Sequence, residues 1–393
     1  MFSKVLEKIK PNKKEEQEVK NKVDSFLKKI NSKLLNAEAI VGGSFAKGTW
    51  LKNQHDIDIF VLFTTPQNIS TRLEVAIKAT FDNMEKIHGS RDYFLVNYEN
   101  LNFELVPVLK INSSEKAENI TDISPMHVDY IKKNINEKLA DEIRLTKYLM
   151  KMNKCYGAET YIGGFSGYLI ELLVIYYKGF NNLIKSTVNW KHGEIINLEN
   201  ENNFISEQKF PLIVIDPVQA NRNVSAALRD DKFHLFINLA KKFNSKPSVK
   251  FFKEIKINPS KYNLVFRIEP VKGSKDVSGT KMLKAFEKIN SELNLNEFKV
   301  INSDWEWTDF GYFYFKIKNK TLSKTVKHYG PPVRFEQDAE KFKLAHKNLK
   351  IKEEKERLYV NLPRKFTNIK DFIKSLSTNK EISDKVYSMA QIK

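Results

Sequence analysis

Three acidic residues in apolar surroundings are the part of this sequence whose types and spacing suggest chemistry. Asp56 and Asp58 lie in the segment DIDIFVLF, which reads as a strand, so both side chains project from the same face. Two neighbouring carboxylates repel each other unless a cation lies between them, and Mg²⁺ is usually bound by a few carboxylates together with substrate phosphates. Glu104, an isolated acid in the apolar strand NFELVPV, is the candidate for a third ligand. The pattern predicts a two-metal site.

A glycine turn upstream of the aspartates supplies the complementary half of such a site. Gly42 and Gly43 allow the backbone to come close to a ligand, Ser44 offers a hydroxyl, and the following amides can bind phosphate oxygens. Lys47 adds a positive charge, and we expect it to bind the triphosphate together with Ser44. An Asp-x-Asp pair alone is more often a solvated strand face. The turn, the apolar flank and the third acid together favour phosphoryl-transfer chemistry.

The periodicity around these residues predicts a small α/β domain at residues 1–120. An amphipathic helix precedes the strand AEAIV, the aspartate strand, a helix from Thr71 to Lys86, and the strands DYFLVNY and LNFELVPVL. Residues 121–248 read as mainly helical with a polar insertion at 191–209, and residues 249–393 mix strands and helices. The fold class expected from this order is α+β with several domains.

The charge balance favours a polyanionic partner. The 393 residues include 66 Lys or Arg and 48 Asp or Glu, a net charge of +18, which is typical of proteins that bind nucleic acid or, less often, an anionic membrane. A Lys-rich composition inherited from an AT-rich genome explains the same count equally well. The single cysteine, Cys155, excludes an intramolecular disulfide, and no apolar run approaches the roughly 20 residues of a membrane span. We expect a cytoplasmic protein that does not bind membranes.

The segment GGSFAKGTWLKNQHDIDIF resembles the motif of the polymerase-beta-like nucleotidyltransferase superfamily, in which two alternating acids follow a Gly-Ser turn. DNA polymerase beta, poly(A) polymerases and CCA-adding enzymes belong to this superfamily. The Gly-Thr-Trp of KGTWL and the Asp-Ile-Asp-Ile core are similar to those of the archaeal, class I CCA-adding enzymes. The resemblance implies a polymerase-beta-like α/β head at 1–120, a helical central (neck) domain at 121–248 that completes the nucleotide pocket, and α+β C-terminal tRNA-binding (body and tail) domains at 249–393.

Three further segments resemble the same family and extend the set of candidate residues. ISPMHVDYI is similar to a Thr-Pro-x-His segment, which implies that His127 faces the nucleotide. DEIRLTKYLMKMNKCYGAE is similar to a Glu-x-Arg-Leu-x-Lys helix with a Tyr-Gly-Ala-Glu end, which implies that Lys147 binds the triphosphate and Tyr156 the nucleotide. DPVQANRNVSAAL resembles a segment whose arginine reads the incoming base, a role that passes to Arg222. At Glu104 the family usually has Asp.

The resemblance also implies an activity, namely template-independent addition of C, C and A to the 3′ end of tRNA with CTP and ATP as substrates and pyrophosphate as product. Two Mg²⁺ ions would be bound by Asp56, Asp58 and Glu104. The tRNA would be held by its acceptor stem and T arm, and family members are often homodimers. Two alternatives stay open. One is a related RNA 3′-terminal nucleotidyltransferase with a different product, poly(A)-type or CC-only, and the other is a non-catalytic RNA-binding homologue.

Overall fold

Two compact units, Met1–Ile255 and Lys256–Lys393, make up the chain. The computed structural model describes residues 2–54, 56–89, 91–199 and 209–393. Residues 200–208 of the polar insertion expected at 191–209 lie outside these ranges. Among the described helices, none combines the length and the apolar character that crossing a membrane requires.

The first part of the first unit is a five-stranded sheet with the order β1-β2-β5-β4-β3. Strands β2 and β5 run parallel, and the other neighbouring pairs are antiparallel. The elements of this part are α1 (Ser3–Ile9), α2 (Lys13–Asn31), β1 (Ala37–Val41), α3 (Gly43–Ala46), β2 (Asp56–Phe63), α4 (Ile69–Lys78), β3 (Glu85–Ile87), β4 (Tyr93–Tyr98) and β5 (Leu101–Leu109).

The alternation of side chains along β2 and β5 decides which face of this sheet is covered. Ile57 and Ile59 of β2 and Phe103 and Leu105 of β5 are buried in one apolar cluster with residues of α2 and α4. There Phe26 of α2 stacks on Phe103 with ring centroids 3.8 Å apart. Because successive strand residues project to opposite faces, the residues between these apolar positions, including both aspartates, lie on the face away from α2 and α4.

The helix predicted from Thr71 to Lys86 is wrong in its second half. Helix α4 ends at Lys78, and the chain then turns and forms the short edge strand β3. Asp82 and Asn83 are residues that favour turns over helix interiors, because their short polar side chains compete for backbone hydrogen bonds. Phe81 and Met84 continue the helical spacing of apolar residues beyond Lys78, so the sequence pattern does not mark the end of the helix.

The rest of the first unit is mainly helical. Its elements are α5 (Ser124–Asn134), α6 (Glu137–Met152), α7 (Gly167–Tyr176), α8 (Phe180–Thr187), β6 (Glu194–Ile196), β7 (Leu212–Val214) and α9 (Asp230–Ser245). The start of α7 is fixed by Ser166, whose side chain accepts a hydrogen bond from the backbone N–H of Leu169 at 3.0 Å. Leu149 of α6 and Leu172 of α7 are buried in one large apolar cluster, so these two helices form the centre of this part.

The second unit contains two sheets with the strand orders β14-β8-β10-β9 and β11-β13-β12. Phe313 and Phe315 of the first sheet are buried in one cluster with Met282 of helix α10. The elements of this unit are β8 (Leu264–Pro270), α10 (Lys275–Leu295), β9 (Val300–Trp307), β10 (Gly311–Ile317), β11 (Thr325–Pro332), α11 (Glu336–Ala345), β12 (Lys352–Glu354), β13 (Arg357–Pro363), α12 (Ile369–Leu376), α13 (Lys380–Ser383) and β14 (Val386–Gln391).

Candidate active site

The structure brings the three predicted acids to neighbouring positions at the middle of the five-stranded sheet of the first unit. In the parallel register of β2 and β5, Asp58 lies beside Glu104, and Asp56 lies beside Asn102. Asn102 donates a hydrogen bond from Nδ2 to Asp56 Oδ1 at 3.2 Å. Asp56 is exposed, whereas Asp58 and Glu104 are half-buried. The carboxylates therefore share one face of the sheet.

The glycine turn lies directly against Asp58. Gly43 has a φ of +55°, a left-handed conformation, and a Cβ atom at this position would lie only 1.5 Å from Asp58 Oδ2. The backbone N–H of Gly42 donates to the Asp58 carbonyl oxygen at 2.7 Å. Ser44 follows in α3, and its carbonyl oxygen accepts from the N–H of Thr49 at 2.9 Å. A side chain at Gly43 would thus occupy the space of the Asp58 carboxylate.

Burial and mutual repulsion shift the ionisation of these acids. Burial raises the pKa of Asp58, and Asp56 adds to the shift, while Lys47 opposes it. Burial, followed by the charges of Asp58 and Asp56, raises the pKa of Glu104 to about 7. Carboxylates in this situation are stabilised by a cation, and their oxygen atoms are the ligands that Mg²⁺ prefers.

The acids do not form a closed ligand set by themselves. In the part of the chain that the structure describes, no three His, Cys, Asp or Glu side chains are grouped closely enough to hold a metal ion. Mg²⁺ usually takes only one or two protein carboxylates and completes its shell with water and substrate phosphates. The residues present therefore fit a divalent cation that binds together with a nucleotide.

We predict that Glu104→Gln stabilises the metal-free protein relative to the wild type, and that this difference in stability grows as the pH rises. An acid whose pKa is higher in the folded than in the unfolded protein loses folding stability as the pH rises from its ordinary value of 4.5 through about 7. The melting temperatures of the wild type and Glu104→Gln should agree near pH 4.5, and the variant should melt higher at pH 8. Glu85→Gln, an exposed acid on β3, is the control. A difference in melting temperature that does not grow with pH would contradict a raised pKa of Glu104 in the folded protein.

Two predicted triphosphate ligands, Lys47 and Lys147, converge on a third residue that the sequence had given no role. Lys47 Nζ lies 2.8 Å from Glu171 Oε2, and Lys147 Nζ lies 2.7 Å from Glu171 Oε1. Thr49 donates to Glu171 Oε1 at 2.7 Å and accepts from Lys147 Nζ at 3.0 Å. Glu171 is 1% exposed, in the middle of the apolar helix α7. The acid inside an apolar run, in the segment GGFSGYLIELL, was a signal that could have found it.

The charges of this cluster reinforce one another. Burial alone raises the pKa of Glu171, but Lys147 and Lys47 outweigh it and lower the pKa to about 2. Burial lowers the pKa of Lys147, and Glu171 opposes this shift. Asp58 responds to all three charges, so the cluster lies close enough to the carboxylate face to influence it.

Arg144, a second residue without a predicted role, fastens the segment after the glycine turn to α6. Its side chain is buried, and it donates to the carbonyl oxygens of Trp50 at 3.1 Å and Gly48 at 2.6 Å. It also pairs with Asp141 one turn earlier on the helix, at 2.6 Å. The loop that carries Lys47 is thereby fixed to the helix that carries Lys147.

Two further predicted nucleotide contacts, His127 and Arg222, meet at Asp216, which is fully buried. Asp216 Oδ2 lies 2.9 Å from His127 Nε2 and accepts from Arg222 Nη1 at 2.6 Å. Asp216 Oδ1 accepts from the Tyr168 hydroxyl at 3.1 Å. Burial alone raises the pKa of Asp216, but the hydrogen bond and charge of His127 lead the opposing effects, and the net result is a lowered pKa. Arg222 also lines a cavity of about 660 Å³ together with Ser166 and other residues.

Tyr168 and Tyr156 connect these groups. The Lys47 ammonium lies 5.3 Å from the centroid of the Tyr168 ring, whose hydroxyl binds Asp216. A Cβ atom at Gly167 would lie 3.3 Å from the Tyr156 hydroxyl and 3.8 Å from Lys147 Nζ. The predicted residues thus fall into three adjoining groups: the carboxylates at the glycine turn, the lysines with Tyr156, and the Asp216 cluster.

The fold that carries these groups is of the nucleotidyltransferase class, because residues 23–151 match the family model of the nucleotidyltransferase domain. Residues 141–253 match "tRNA nucleotidyltransferase, second domain", and residues 261–390 match "CCA-adding enzyme, C-terminal domain". The chain belongs to the CCA-adding enzyme family. The division into three domains at residues 120 and 248 stays a prediction.

Relatives that cover nearly the whole chain establish this membership. The CCA-adding enzyme of Nanoarchaeum equitans is 35% identical over 93% of this chain and 94% of its own length. That of Methanocaldococcus jannaschii is 31% identical over 96% of this chain and 90% of its own. Among solved structures, two whose titles describe RNA terminal uridylyl transfer match 65% of this chain and 97% of the solved chain, with TM-scores of 0.53 and 0.52. At 15% identity these two show a shared fold alone.

Proposed function

We propose that this protein adds C, C and A to the 3′ end of tRNA from CTP and ATP, without a nucleic-acid template. The observation that carries the proposal is the placement of Asp58 beside Glu104, with the Gly43 turn against Asp58. Membership of the CCA-adding enzyme family supports the choice of reaction and of nucleotides.

Asp56, Asp58 and Glu104 are the residues that would bind two Mg²⁺ ions. When bound, Mg²⁺ neutralises phosphate charge and lowers the pKa of a coordinated hydroxyl, as in other two-metal transferases. The raised pKa values of Asp58 and Glu104 support this assignment, since neighbouring carboxylates without a cation repel each other.

The side chains supply the other parts of the reaction. The 3′-oxygen of the tRNA attacks the α-phosphorus of the nucleotide, and the bond from that phosphorus to the bridging oxygen breaks to release pyrophosphate. Glu104, which lies beside Asp58, is the side chain that accepts the proton of the 3′-hydroxyl. Lys47 and Lys147 bind the triphosphate oxygens with the Ser44 hydroxyl, and Tyr156 contacts the nucleotide beside Lys147.

The Asp216 cluster selects the base. Arg222 presents its guanidinium donors to acceptors of cytosine and adenine, and His127 faces the same nucleotide. Asp216 fixes the orientation of both, because it binds His127 Nε2 and Arg222 Nη1 through the same oxygen atom. UTP and GTP present different donor and acceptor edges to these groups and fit less well.

The rest of the molecule binds the tRNA. The net charge of +18 suits contacts to the phosphates of the acceptor stem and T arm, with little reading of base sequence. Substrates that share a shape and differ in sequence are then all accepted. A homodimer, common in the family, belongs to the same proposal, and sedimentation of the purified protein tests it.

Incubation of the purified protein with a tRNA that lacks its 3′ end and with each labelled nucleotide tests the function. Two C additions from CTP, followed by one A from ATP, are the expected products. A long A tail would indicate a poly(A)-type enzyme, and arrest after two C residues with ATP present would indicate a CC-only enzyme. If the folded protein adds no nucleotide, the remaining hypothesis is a non-catalytic RNA-binding homologue.

Replacing Arg222 by Lys should relax the choice of base without abolishing addition. Lysine keeps the charge but lacks the planar fork of donors, so the preference for CTP over UTP should fall by roughly 10- to 100-fold. The measurement is the ratio of kcat/KM values for the two nucleotides on the same tRNA. Lys191→Arg, a change at an exposed position, is the control. An unchanged ratio would remove Arg222 from base selection.

A further inference from the structure

Glu171 is an ionised side chain in the middle of helix α7, where its helical neighbours are apolar and buried. Its carboxylate receives three hydrogen bonds from two other segments: Lys47 and Thr49 follow the glycine turn, and Lys147 lies on α6. With 1% of its surface exposed, the carboxylate is not open to an incoming ligand. Its partners are the two lysines to which the proposed function gives the triphosphate.

We infer that Glu171 is a positioning residue, which holds the Lys47 and Lys147 ammonium groups as a charged pair ready for the triphosphate of the nucleotide. This inference rests on the proposed function, in which both lysines bind that triphosphate. Glu171 itself does not touch the nucleotide and acts only through its two partners.

Glu171 anchors the two lysines but occupies only some of their N–H donors. An ammonium group carries three N–H donors. Among the bonds that the described residues form, Lys147 uses one donor on Glu171 and one on Thr49, and Lys47 uses one on Glu171. The remaining donors are free to bind phosphate oxygens while the carboxylate keeps both groups in place. The charges of the three side chains still sum to a positive value.

Glu171 also keeps a buried cation charged. Burial lowers the pKa of Lys147, and the nearby charges of Lys47 and Arg144 lower it further, whereas Glu171 raises it. The Tyr156 hydroxyl and Lys147 Nζ both lie next to Gly167. Without the carboxylate, the two lysines would repel each other and Lys147 would lose its proton more readily. Loss of an ordered positive charge outweighs the removal of one negative charge, so CTP binding should weaken.

The test is the affinity of the full-length protein for CTP in the presence of Mg²⁺, measured by equilibrium binding without tRNA, and then kcat and KM with tRNA. Glu171→Gln keeps the shape and removes the charge. We expect it to bind CTP at least tenfold more weakly and to raise KM in proportion, with kcat changed by less than threefold. Glu142→Gln is the matched control. Glu142 lies on α6, and its carboxylate binds the backbone N–H of Phe180, so this change should lower the melting temperature and leave CTP affinity unchanged.

A double variant separates positioning from folding. Lys147→Met combined with Glu171→Gln removes a buried charge of each sign, so it should fold even where Glu171→Gln alone does not. In the Lys147→Met background only Lys47 is left for Glu171 to hold, so Glu171→Gln should weaken CTP binding there by a smaller factor than it does in the wild type. An equal or larger loss of affinity from Glu171→Gln in the Lys147→Met background, or a folded Glu171→Gln variant that binds CTP as well as or better than the wild type, would overturn the inference. A wild-type protein that binds no CTP would instead overturn the proposed function.

Discussion

The Asp58→Asn variant should lose nucleotide addition by at least ~1,000-fold, a barrier increase of about 4 kcal/mol, and should melt at a higher temperature than the wild type without metal. Activity falls because Asp58 lies beside Glu104 in the proposed metal site, where one acid fewer would leave the divalent cation weakly bound. Stability rises because the pKa of Asp58 is raised by burial and by Asp56. An acid of this kind destabilises the folded protein at pH values above its ordinary range, and Asn removes that cost.

Opposite changes in activity and stability are what identify a functional acid here. A structural Asp would lower both when it is replaced. The measurements are the initial rate of CTP addition to shortened tRNA and the melting temperature at pH 7.5 in a chelating buffer. Asp24→Asn, at an exposed position of α2, is the control and should change neither. A variant that retains more than a tenth of the wild-type rate, or that melts lower than the wild type, would refute the assignment of Asp58.

The Gly43→Ala variant should lose activity by roughly 100- to 1,000-fold, although it changes no charged group. The added Cβ would lie 1.5 Å from Asp58 Oδ2, so the carboxylate must move away from the turn. The left-handed φ of +55° adds a backbone cost of about 1–2 kcal/mol, which lowers the melting temperature. The displaced Asp58 can no longer bind metal with its neighbours.

Gly48→Ala separates the two effects. Gly48 also has a left-handed φ, +66°, but a Cβ atom there meets nothing within 4 Å. It should therefore lower the melting temperature by a similar amount and leave the rate of CTP addition within about threefold of the wild type. The comparison needs only the two rates and two melting curves. Equal losses of activity in both variants would mean that backbone strain, and not the contact with Asp58, is responsible.

The sheet and its carboxylates could be predicted because their signals are local. Alternating apolar residues mark β2 and β5, and a period of two puts Asp56 and Asp58 on one face. Glu104 was predictable as a neighbour because it is the isolated acid in a strand able to pair with them. The end of α4 could not be predicted in this way, because the apolar pattern continues past the turn at Asp82.

The pairing of distant polar residues could not be predicted in the same way. Glu171 binds Lys47 across 124 positions of the chain, and His127 binds Asp216 across 89. An acid within an apolar helix indicates that it has a partner, but nothing in its neighbourhood says which. The glycine turn pointed to Lys47, and the resemblance to the family pointed to Lys147, His127 and Arg222. Only the folded chain joins them through shared carboxylates.

The parallel pairing of β2 with β5 has a consequence for how the activity can fail. Hairpin partners meet early, whereas Asp58 reaches Glu104 only after 46 positions that include α4, β3 and β4 have found their places. A fragment that contains only one of the two strands would therefore lack a complete acidic centre. In a urea titration, the loss of magnesium-dependent nucleotide binding should coincide with cooperative unfolding of the whole sheet, with no intermediate that retains one and lacks the other.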